Sequence, residues 1–299
     1  MDSPDDRQPL LISVDFEDWH QLVRRRVGAS NWEEPGPALE RQTDALLELF
    51  DELGLRATFF VLGMAARSHP YLIERLLAKG HEIGCHGDRH RLVHSQTPAE
   101  FTADLRVACE TIESLAGRRP IGYRAPAFSI TRDCRWAYDA LVAEGFAYDS
   151  SQHDSPRIRG RVVPAQTGPH ALELADGTLW EFPVAVWRSQ RGRVPVGGAS
   201  YWAIMPTRLV LHGLETVGPF GALYVHPYEL DPHRLNAELP SGTPLPGRLA
   251  GALRAGQRNL ARQRTADVLR AIAGRYQLIP YAEAHALLAG GAPAGPQPV

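Results

Sequence analysis

The sequence predicts an α/β fold built from parallel βα units, and two observations support this prediction. Short apolar segments that suit buried strands alternate with amphipathic segments that suit helices, beginning with 10–14 and 38–53. Polar residues with possible chemical roles follow directly after several of the strand segments. In α/β barrels the C-terminal ends of the strands gather at one face, so the sequence also predicts a functional site there.

The bulk composition limits the range of functions. The chain has 299 residues, with 32 Lys and Arg against 34 Asp and Glu, and a formal net charge of −2. This balance predicts no general basic surface for nucleic acid. No apolar run approaches the roughly 20 residues of a membrane span, and the acidic start lacks the basic region of a signal peptide. Because the three cysteines also form no spaced pair, we expect a cytoplasmic protein.

Strands and helices alternate regularly over the first half of the chain. Apolar runs predict the strands, and apolar residues at helical spacing predict the helices. Glycines end two of the helices, at Gly54 and Gly80. The predicted strands are 10–14, 57–63, 82–84, 121–124 and 146–149. The predicted helices are 38–53, 71–80, 98–116 and 134–145.

The second half of the chain is less regular. Residues 152–178 predict a loop or hairpin, and 193–206 predict an irregular Gly-rich segment. The remaining predicted elements are strands at 179–187 and 222–226, a helix at 207–217, and a helical region at 245–288 with a short strand near 277–280. The predicted organisation is one domain over 10–288 with an extension from about 234, between disordered ends at 1–9 and 289–299.

The segment GHEIGCHGDRH, residues 80–90, predicts a shaped loop that holds metal ligands. Its glycines allow backbone conformations that other residues resist. His86 and His90 are four positions apart, and in one helical turn their imidazoles would share a face about 6 Å apart. This spacing is half of a catalytic zinc site, which usually has three protein ligands. The alternative is a chance pair or a cap.

Carboxylates at the end of the first predicted strand can supply the third ligand. The stretch SVDFED places Asp15, Glu17 and Asp18 within four positions, where mutual repulsion is costly without a cation. Two further strand ends carry Arg124 and His226, for which the alternatives are a structural ion pair and a buried core histidine. Together these groups suit a hydrolase with a Lewis-acid metal, a carboxylate base and a histidine acid.

The motifs SVDFED, HEIGCHGDRHR, RAPAFSI, EFPV and LYVHP, in this order, resemble those of the polysaccharide deacetylases, the NodB-homology or carbohydrate esterase family 4 proteins. The segments YDSS, PVGGASYW and HPYELDP make the branch associated with exosortase (PEP-CTERM) loci the closest match. The resemblance covers about residues 10–288. It implies a distorted (β/α) barrel of about seven strands and metal-dependent removal of N-acetyl groups from amino sugars, giving a free amine and acetate.

The resemblance also implies the roles of individual residues. Asp15 would be the general base, and Arg124 would orient it and balance its charge. His226 would be the general acid, and a neighbouring carboxylate, Glu181 or Asp149, would raise its pKa. The divalent metal, most often zinc, would be held by Asp18, His86 and His90.

Three departures from the common family pattern bear on this site. The family usually has adjacent aspartates, whereas Asp15 and Asp18 are separated here, so Glu17 is the alternative carboxylate ligand. Gly87 stands where many members have Ser or Thr. Ala127 stands where many have Tyr, which makes one wall of the cleft smaller, while its backbone N–H is expected to help bind the oxyanion.

Substrate contacts are expected along the same edge. In PVGGASYW the glycines let the backbone come close, and Tyr201 and Trp202 offer ring faces on which sugars can stack. Packing of these aromatic rings under a loop is the alternative. The expected substrate contacts are Glu17, Ala127, Phe128 and Trp202.

Two other functions remain open from the sequence. One is another amide hydrolase on this fold, of the allantoinase or cyclic-imidase kind, with altered metal ligation. The other is a non-catalytic glycan-binding relative, although such relatives typically lose the base or a ligand, and Asp15, His86 and His90 all remain here. The lack of an export signal favours an intracellular substrate that is short or carrier-linked. No nucleic-acid partner is expected.

Overall fold

The computed structural model describes residues 6–154, 167–190 and 192–290. Its strands are β1 Pro9–Phe16, β2 Thr58–Val61, β3 Glu82–Cys85, β4 Gly122–Tyr123, β5 Tyr148–Asp149, β6 His170–Leu174, β7 Gly177–Glu181, β8 Trp187–Ser189, β9 Gly192–Val194, β10 Ala222–Val225 and β11 Gln277–Ile279. Its helices are α1 Trp19–Arg26, α2 Leu39–Glu52, α3 Gly63–Ser68, α4 Pro70–Ala78, α5 Pro98–Ala116, α6 Trp136–Ala143, α7 Ala199–Trp202, α8 Thr207–Glu215, α9 Pro227–Leu230, α10 Leu245–Asn259, α11 Arg264–Ala273 and α12 Tyr281–Leu288.

The main sheet has the strand order β10-β1-β2-β3-β4-β5-β7-β6, and β11 also pairs with β1. All of these pairings are parallel except β6 with β7, which form an antiparallel hairpin. β8 and β9 form a separate antiparallel pair. The parallel arrangement confirms the predicted α/β class, and it directs the C-terminal ends of β1, β3, β4 and β10 to one edge.

The sheet curves towards closure but does not form a continuous barrel among the described residues. Single parallel bridges join Val184 to Ala222 and Gly198 to Tyr224. Backbone hydrogen bonds of 2.9 Å from Ala185 N–H to Ala222 and of 2.8 Å from Tyr224 N–H to Gly197 accompany them. The chain after β7 therefore reaches β10 through isolated bridges, an arrangement that agrees with the expected distorted (β/α) barrel without continuous strand pairing around it.

The alternation of β1 determines which of its side chains reach the interior of the curved sheet. Leu10, Ile12, Val14 and Phe16 pack in the apolar cluster that includes the surrounding helices, for example Leu46 and Phe50 of α2. Successive strand side chains point to opposite faces. The face that carries Leu11, Ser13 and Asp15 therefore lies inside, where Leu11 packs with Phe60, Tyr148 and Tyr281.

The structure differs from the predicted elements in several places. The predictions included neither α1 nor the short helix α3. The segment expected to be irregular at 193–206 contains the helix Ala199–Trp202. The expected disordered start at 1–9 overlaps β1, which begins at Pro9.

Several predictions fall partly or wholly outside the described residues. Part of the predicted 152–178 loop, residues 155–166, lies outside them, and so does most of the predicted tail, residues 291–299. The single-domain organisation stays a prediction. No helix within the described part of the chain is long and apolar enough to cross a membrane.

Candidate active site

The register of the parallel strands brings the predicted site residues together. Cys85 of β3 pairs with Tyr123 of β4, so the residues that follow, His86 and Arg124, lie side by side. Val14 of β1 pairs with Val225 of β10, which likewise places Asp15 beside His226. The backbone N–H of Arg124 donates to the Cys85 carbonyl over 3.0 Å and extends the β3–β4 pairing. Four strand ends thus contribute to a single site.

The histidine loop brings its two imidazoles together without a helical turn. The residues from His86 to His90 are irregular, with positive φ values of 77° at Gly87 and 52° at His90. The imidazole ring centroids of His86 and His90 are 5.6 Å apart. The predicted proximity is therefore found, but it is produced by two left-handed backbone positions, one of which glycine adopts without strain.

His86 presents one ring nitrogen as a potential ligand. Its Nδ1 lies 2.7 Å from the Arg124 carbonyl, which can only accept a hydrogen bond and so fixes the proton on Nδ1. The other nitrogen, Nε2, is buried and has no hydrogen-bond partner among the described residues. Burial lowers the pKa of His86 in spite of the nearby Asp15 and Glu17, so the ring is held neutral. A neutral imidazole with an available Nε2 is the form that binds metals.

Glu17 occupies the centre of the site, between two histidines. One carboxylate oxygen, Oε2, lies 2.9 Å from His90 Nε2, and the other, Oε1, lies 3.2 Å from His226 Nε2. Burial would raise the pKa of Glu17, but His90 and His226 outweigh it and hold the pKa well below its usual value. Glu17 is therefore a buried carboxylate anion.

Glu17, His86 and His90 fit a divalent cation. Each offers a ligand atom, and these atoms lie within 4.8 Å of one another. Glu17 Oε2 and His90 Nε2 face each other, yet Oε2 lacks a hydrogen bond of good geometry. Two imidazole nitrogens and one carboxylate oxygen are a ligand set that zinc takes in catalytic sites.

The structure does not bring Asp18 into this group and therefore favours Glu17 over Asp18 as the carboxylate ligand. Asp18 is the N-cap of α1. Its Oδ1 accepts hydrogen bonds from the backbone N–H groups of His20 (2.7 Å) and Gln21 (3.3 Å), and its Oδ2 accepts one from Gly36 (2.7 Å). Both oxygens are thus used by the backbone, which is the common role of Asp at a helix start.

Asp15 is held by a buried arginine, Arg124. Arg124 is fully buried, and its Nη1 donates to Asp15 Oδ1 over 2.7 Å. The same guanidinium donates to Ser13 Oγ over 2.7 Å, to Ser150 Oγ over 2.8 Å and to the Tyr281 hydroxyl over 2.6 Å. Burial disfavours the charged form, but Tyr281 and Asp15 outweigh it and raise the pKa of Arg124. This network fixes the position of the Asp15 carboxylate.

His226 has a carboxylate partner that the sequence analysis did not identify. Glu229, three residues on, accepts hydrogen bonds over 2.9 Å from the backbone N–H and from Nδ1 of His226. Burial would lower the pKa of His226, but Tyr228, Glu229 and Glu17 together raise it well above its usual value. This shift favours the protonated ring that a proton donor requires.

The two carboxylates expected to assist His226 lie elsewhere. Glu181 accepts a hydrogen bond from the backbone N–H of Gln152 over 3.0 Å, and Asp149 binds the Ser151 hydroxyl over 2.6 Å. Both carboxylates are completely buried. The prediction that Glu181 or Asp149 would be the partner of His226 is wrong. His226 is the N-cap of the short helix α9, and Glu229 of the same helix contacts it in a capping box.

These groups open onto a cleft of about 530 Å³. Ala127 and Phe128 line it, and both have positive φ values, of 52° and 54°. The Phe128 N–H is bonded to the Ala125 carbonyl over 2.9 Å, so Ala127 is the residue of this turn whose N–H remains the candidate for an oxyanion. Further lining residues are Trp19, Tyr201, Tyr224 and Tyr228.

Trp202 does not line the cleft, which corrects its expected role in stacking on substrate. Its side chain is completely buried in the main apolar cluster. The indole N–H donates to the Val196 carbonyl over 2.7 Å. The one-turn helix α7 turns Tyr201 towards the cleft and Trp202 into the core, so the packing alternative applies to Trp202.

Comparisons with known proteins agree with this site. Residues 34–144 match the family described as polysaccharide deacetylase, and residues 150–247 match a domain of unknown function, DUF3473. The first match contains His86, His90 and Arg124, and the second contains His226. Asp15 and Glu17 precede both matches.

Individual relatives are similar over part of their length. The chain is 31% identical to a peptidoglycan deacetylase of Helicobacter pylori over 106 residues, which is 36% of this chain and 35% of the relative. It is 33% identical over 112 residues to a chitooligosaccharide deacetylase of a Bradyrhizobium strain, which is 37% of this chain and 48% of the relative. The chain thus matches between a third and a half of the length of these relatives.

A solved structure supports the fold over the whole chain. A Mycobacterium smegmatis crystal structure described as a polysaccharide deacetylase aligns with all of this chain and 97% of its own, at a TM-score of 0.63 and 20% identity. At that identity the likeness concerns the fold. The resemblance of the motifs to the polysaccharide deacetylases is confirmed by the family match, which covers residues 34–144 of this chain.

Proposed function

We propose that the protein is a metal-dependent N-deacetylase that hydrolyses the acetamide of an N-acetylated amino sugar to a free amine and acetate. One observation carries the proposal: the Glu17–His86–His90 group lies beside a fixed carboxylate, Asp15, and a protonated histidine, His226. The relatives named as peptidoglycan and chitooligosaccharide deacetylases support an N-acetylated sugar as the substrate class.

Glu17, His86 and His90 would hold the metal ion, and zinc suits their two nitrogens and one oxygen. When bound, the ion supplies a Lewis acid that polarises the acetamide and lowers the pKa of water. His86 is prepared for this role because its Nδ1 proton is fixed by the Arg124 carbonyl. The Arg124 residue thus orients a ligand through its backbone and the base through its side chain.

Asp15 would act as the general base towards the attacking water. Its Oδ1 is bound to Arg124, which holds the carboxylate in one orientation and leaves its other oxygen for the proton. As the carbonyl carbon becomes tetrahedral, negative charge develops on the acetamide oxygen. The backbone N–H of Ala127, at the wall of the same cleft, is the protein donor we assign to that charge.

His226 would act as the general acid towards the departing amine. Its Nδ1 is engaged by Glu229, and its Nε2 points to the centre of the site at 3.2 Å from Glu17. Glu229 fixes the ring and keeps it charged, so Nε2 carries a proton that can be given to the sugar nitrogen as the C–N bond breaks. An amine leaves poorly without that proton.

Acetate release tests this proposal. Purified protein would be supplied with zinc and incubated with N-acetylglucosamine oligomers, then treated with a chelator and resupplied with zinc. We expect acetate release that stops on chelation and returns with zinc, and that is absent in His86→Ala. Release that survives complete metal removal would contradict the metal assignment. Binding of the oligomers without any acetate would identify a non-catalytic relative, and hydrolysis of cyclic imides alone would identify the other amide-hydrolase class.

A further inference from the structure

The outer wall of the cleft is formed by arginines from two helices. Arg25 and Arg26 stand at the end of α1, and Arg254 and Arg258 stand on α10, one turn apart. The two helices are joined by a small apolar cluster that includes Trp19, Val23, Tyr228 and Ala255. The arginines are therefore held at one side of the cleft by packing.

Two of these four arginines already have partners inside the protein. Arg258 lies 3.4 Å from Glu229 and also binds Ser200. Arg25 donates to the backbone carbonyl of Arg89 over 3.0 Å and lies over the ring of Trp32, at 5.1 Å from the ring centroid. These contacts fix both side chains. Arg258 is held in part by a carboxylate, whereas Arg25 is held by a carbonyl and an aromatic ring.

The side chains of the other two arginines, Arg26 and Arg254, make no hydrogen bond or ion pair with the described residues. Arg254 is nevertheless only partly exposed. Burial, Arg258 and Arg26 together lower the pKa of Arg254, which is the direction expected for a cation beside like charges. Like charges brought together at a partly desolvated site destabilise each other unless an anion joins them.

The sequence around Arg254 contains no acidic side chain. Residues 239–266 contain five arginines, at 248, 254, 258, 262 and 264, and neither Asp nor Glu. Glu17 and Asp15 also line the cleft, but they are engaged by the histidines and by Arg124. The positive charge of Arg26 and Arg254 is therefore available to a molecule that enters the cleft.

We propose that Arg254 and Arg26 form a binding site for an oxyanion, a carboxylate or a phosphate, that the N-acetylated substrate carries away from its acetamide. This inference rests on the proposed deacetylase function and names the substrate class within it. Guanidinium groups bind carboxylate and phosphate through paired, charge-assisted hydrogen bonds. A neutral oligomer of N-acetylglucosamine carries no anionic group that could bind these two arginines, so their positive charges stay uncompensated.

Substrate comparison tests the proposal. Acetate release by the zinc-loaded protein would be measured with neutral N,N′-diacetylchitobiose, with N-acetylmuramic acid as the carboxylate, and with N-acetylglucosamine 1-phosphate as the phosphate. We expect at least one anionic sugar to have a lower KM than the neutral one. Arg254→Gln should raise the KM of that sugar by about 10- to 100-fold, with little change in kcat or in the neutral substrate. The anionic sugar whose KM rises in Arg254→Gln shows whether the site binds a carboxylate or a phosphate.

Arg248→Gln is the matched control, because Arg248 is an exposed arginine on α10 that does not line the cleft. It removes the same charge and should leave all three KM values unchanged. Arg26→Gln, an exposed position, provides a second test should Arg254→Gln fold poorly, and a several-fold rise in KM is expected.

Binding measured without turnover separates this inference from the deacetylase proposal. Calorimetry with N-acetylglucosamine 1-phosphate and with N-acetylmuramic acid should show that Arg254→Gln weakens binding, relative to Arg248→Gln, even where no acetate is released. Equal affinities for neutral and anionic sugars in the unsubstituted protein would overturn the inference. Equal effects of the two substitutions would also overturn it, since they would indicate a general charge effect.

Discussion

Arg124 Nη1 donates a hydrogen bond of 2.7 Å to Asp15 Oδ1 in a fully buried setting, although 109 residues separate the two in sequence. The geometry leaves the arginine no route to solvent, so its charge depends on this carboxylate and on the hydroxyls of Ser13, Ser150 and Tyr281. An amide in place of the Asp15 carboxylate keeps a hydrogen-bond acceptor for Nη1 but removes the base.

Asp15→Asn should therefore bind zinc normally and lose turnover by about 10²–10⁴-fold, the usual contribution of a general base. Removing the anion from a buried pair also destabilises the fold, by up to about 3–5 kcal/mol. Activity should be measured below the melting temperature of the variant, and zinc content by metal analysis. Near-normal turnover would show that another group, with Glu17 the nearest carboxylate in the cleft, accepts the proton.

The identity of the carboxylate ligand gives a second prediction. Glu17→Gln should weaken zinc binding by more than about 10²-fold, because even residues that only support a ligand contribute about 10- to 100-fold. Asp18→Asn should bind zinc as well as the unsubstituted protein, because asparagine keeps one acceptor oxygen for the N-cap and loses only the bond from the Gly36 N–H. Equilibrium dialysis against zinc would measure both affinities. The reverse order of the two variants would restore Asp18 as the ligand.

The role of His226 predicts a contrast between substrates. His226→Ala should reduce hydrolysis of N-acetyl sugars severely and should leave activated aryl acetates, whose leaving groups need no proton, largely unaffected. Both rates would be measured on protein of matched zinc content. Because a purely structural loss would lower the two rates together, equal loss on amide and ester would remove His226 from the acid role.

Substitution of the two neighbouring aromatic residues of α7, Tyr201 and Trp202, should have different effects on KM and on stability. Tyr201→Ala, at the cleft wall, should raise KM more than it lowers kcat and leave stability nearly unchanged. Trp202→Ala should instead lower the free energy of unfolding by about 3–5 kcal/mol, as expected for a large core residue, with KM unaltered in the folded protein. Urea titration and steady-state kinetics on both variants provide the comparison. A raised KM in a fully stable Trp202→Ala would return this ring to the substrate.

The burial of His81 predicts that the free energy of unfolding depends on pH. This dependence does not involve the active-site residues. It is buried against Phe50 and Phe59, its Nδ1 accepts from the Ala57 N–H at 3.2 Å, and burial lowers its pKa to about 4. Because the folded-state pKa lies below the unfolded value of about 6.5, this contribution is fully present above pH 6.5 and is lost as the pH falls towards 4.

Between pH 7 and pH 4.5 the protein should therefore lose about 2 kcal/mol more stability than His81→Asn, whose side chain does not titrate. Urea unfolding at several pH values would measure the difference. Parallel pH profiles for the two proteins would mean that His81 can be protonated without cost in the fold.

The convergence of Asp15, His86, Arg124 and His226 could be predicted from sequence because each follows a buried strand. Parallel strands place such positions at one edge whatever the loops between them do. The confirmed α/β class rests on the same regularity. What the sequence pattern does not define is the closure of the sheet, because single bridges such as Val184 to Ala222 depend on how the segments after β7 pack.

The structure favours Glu17 as the carboxylate ligand, whereas the sequence analysis preferred Asp18, and the pattern of β1 gives the reason. Asp15 lies on the interior face of β1 and Phe16 on the face that packs against the helices. Glu17, one residue after the end of β1, again lies on the interior side. Asp18 precedes the helix WHQLVRRR and serves as its cap. Glu229 could have been found from the sequence HPYE, where a glutamate three residues after an N-cap closes a capping box.

Tyr281 gives the active site a dependence on the order of synthesis. Its hydroxyl binds Arg124, and the helix that it begins follows β11, which pairs with β1. While a ribosome is still adding the segment before residue 281, the metal ligands and the base have all been made, but the guanidinium that fixes the base lacks one of its partners. A chain released before residue 281 lacks this hydroxyl, so we expect it to lose the proposed hydrolysis of acetamides to a greater extent than the proposed binding of zinc.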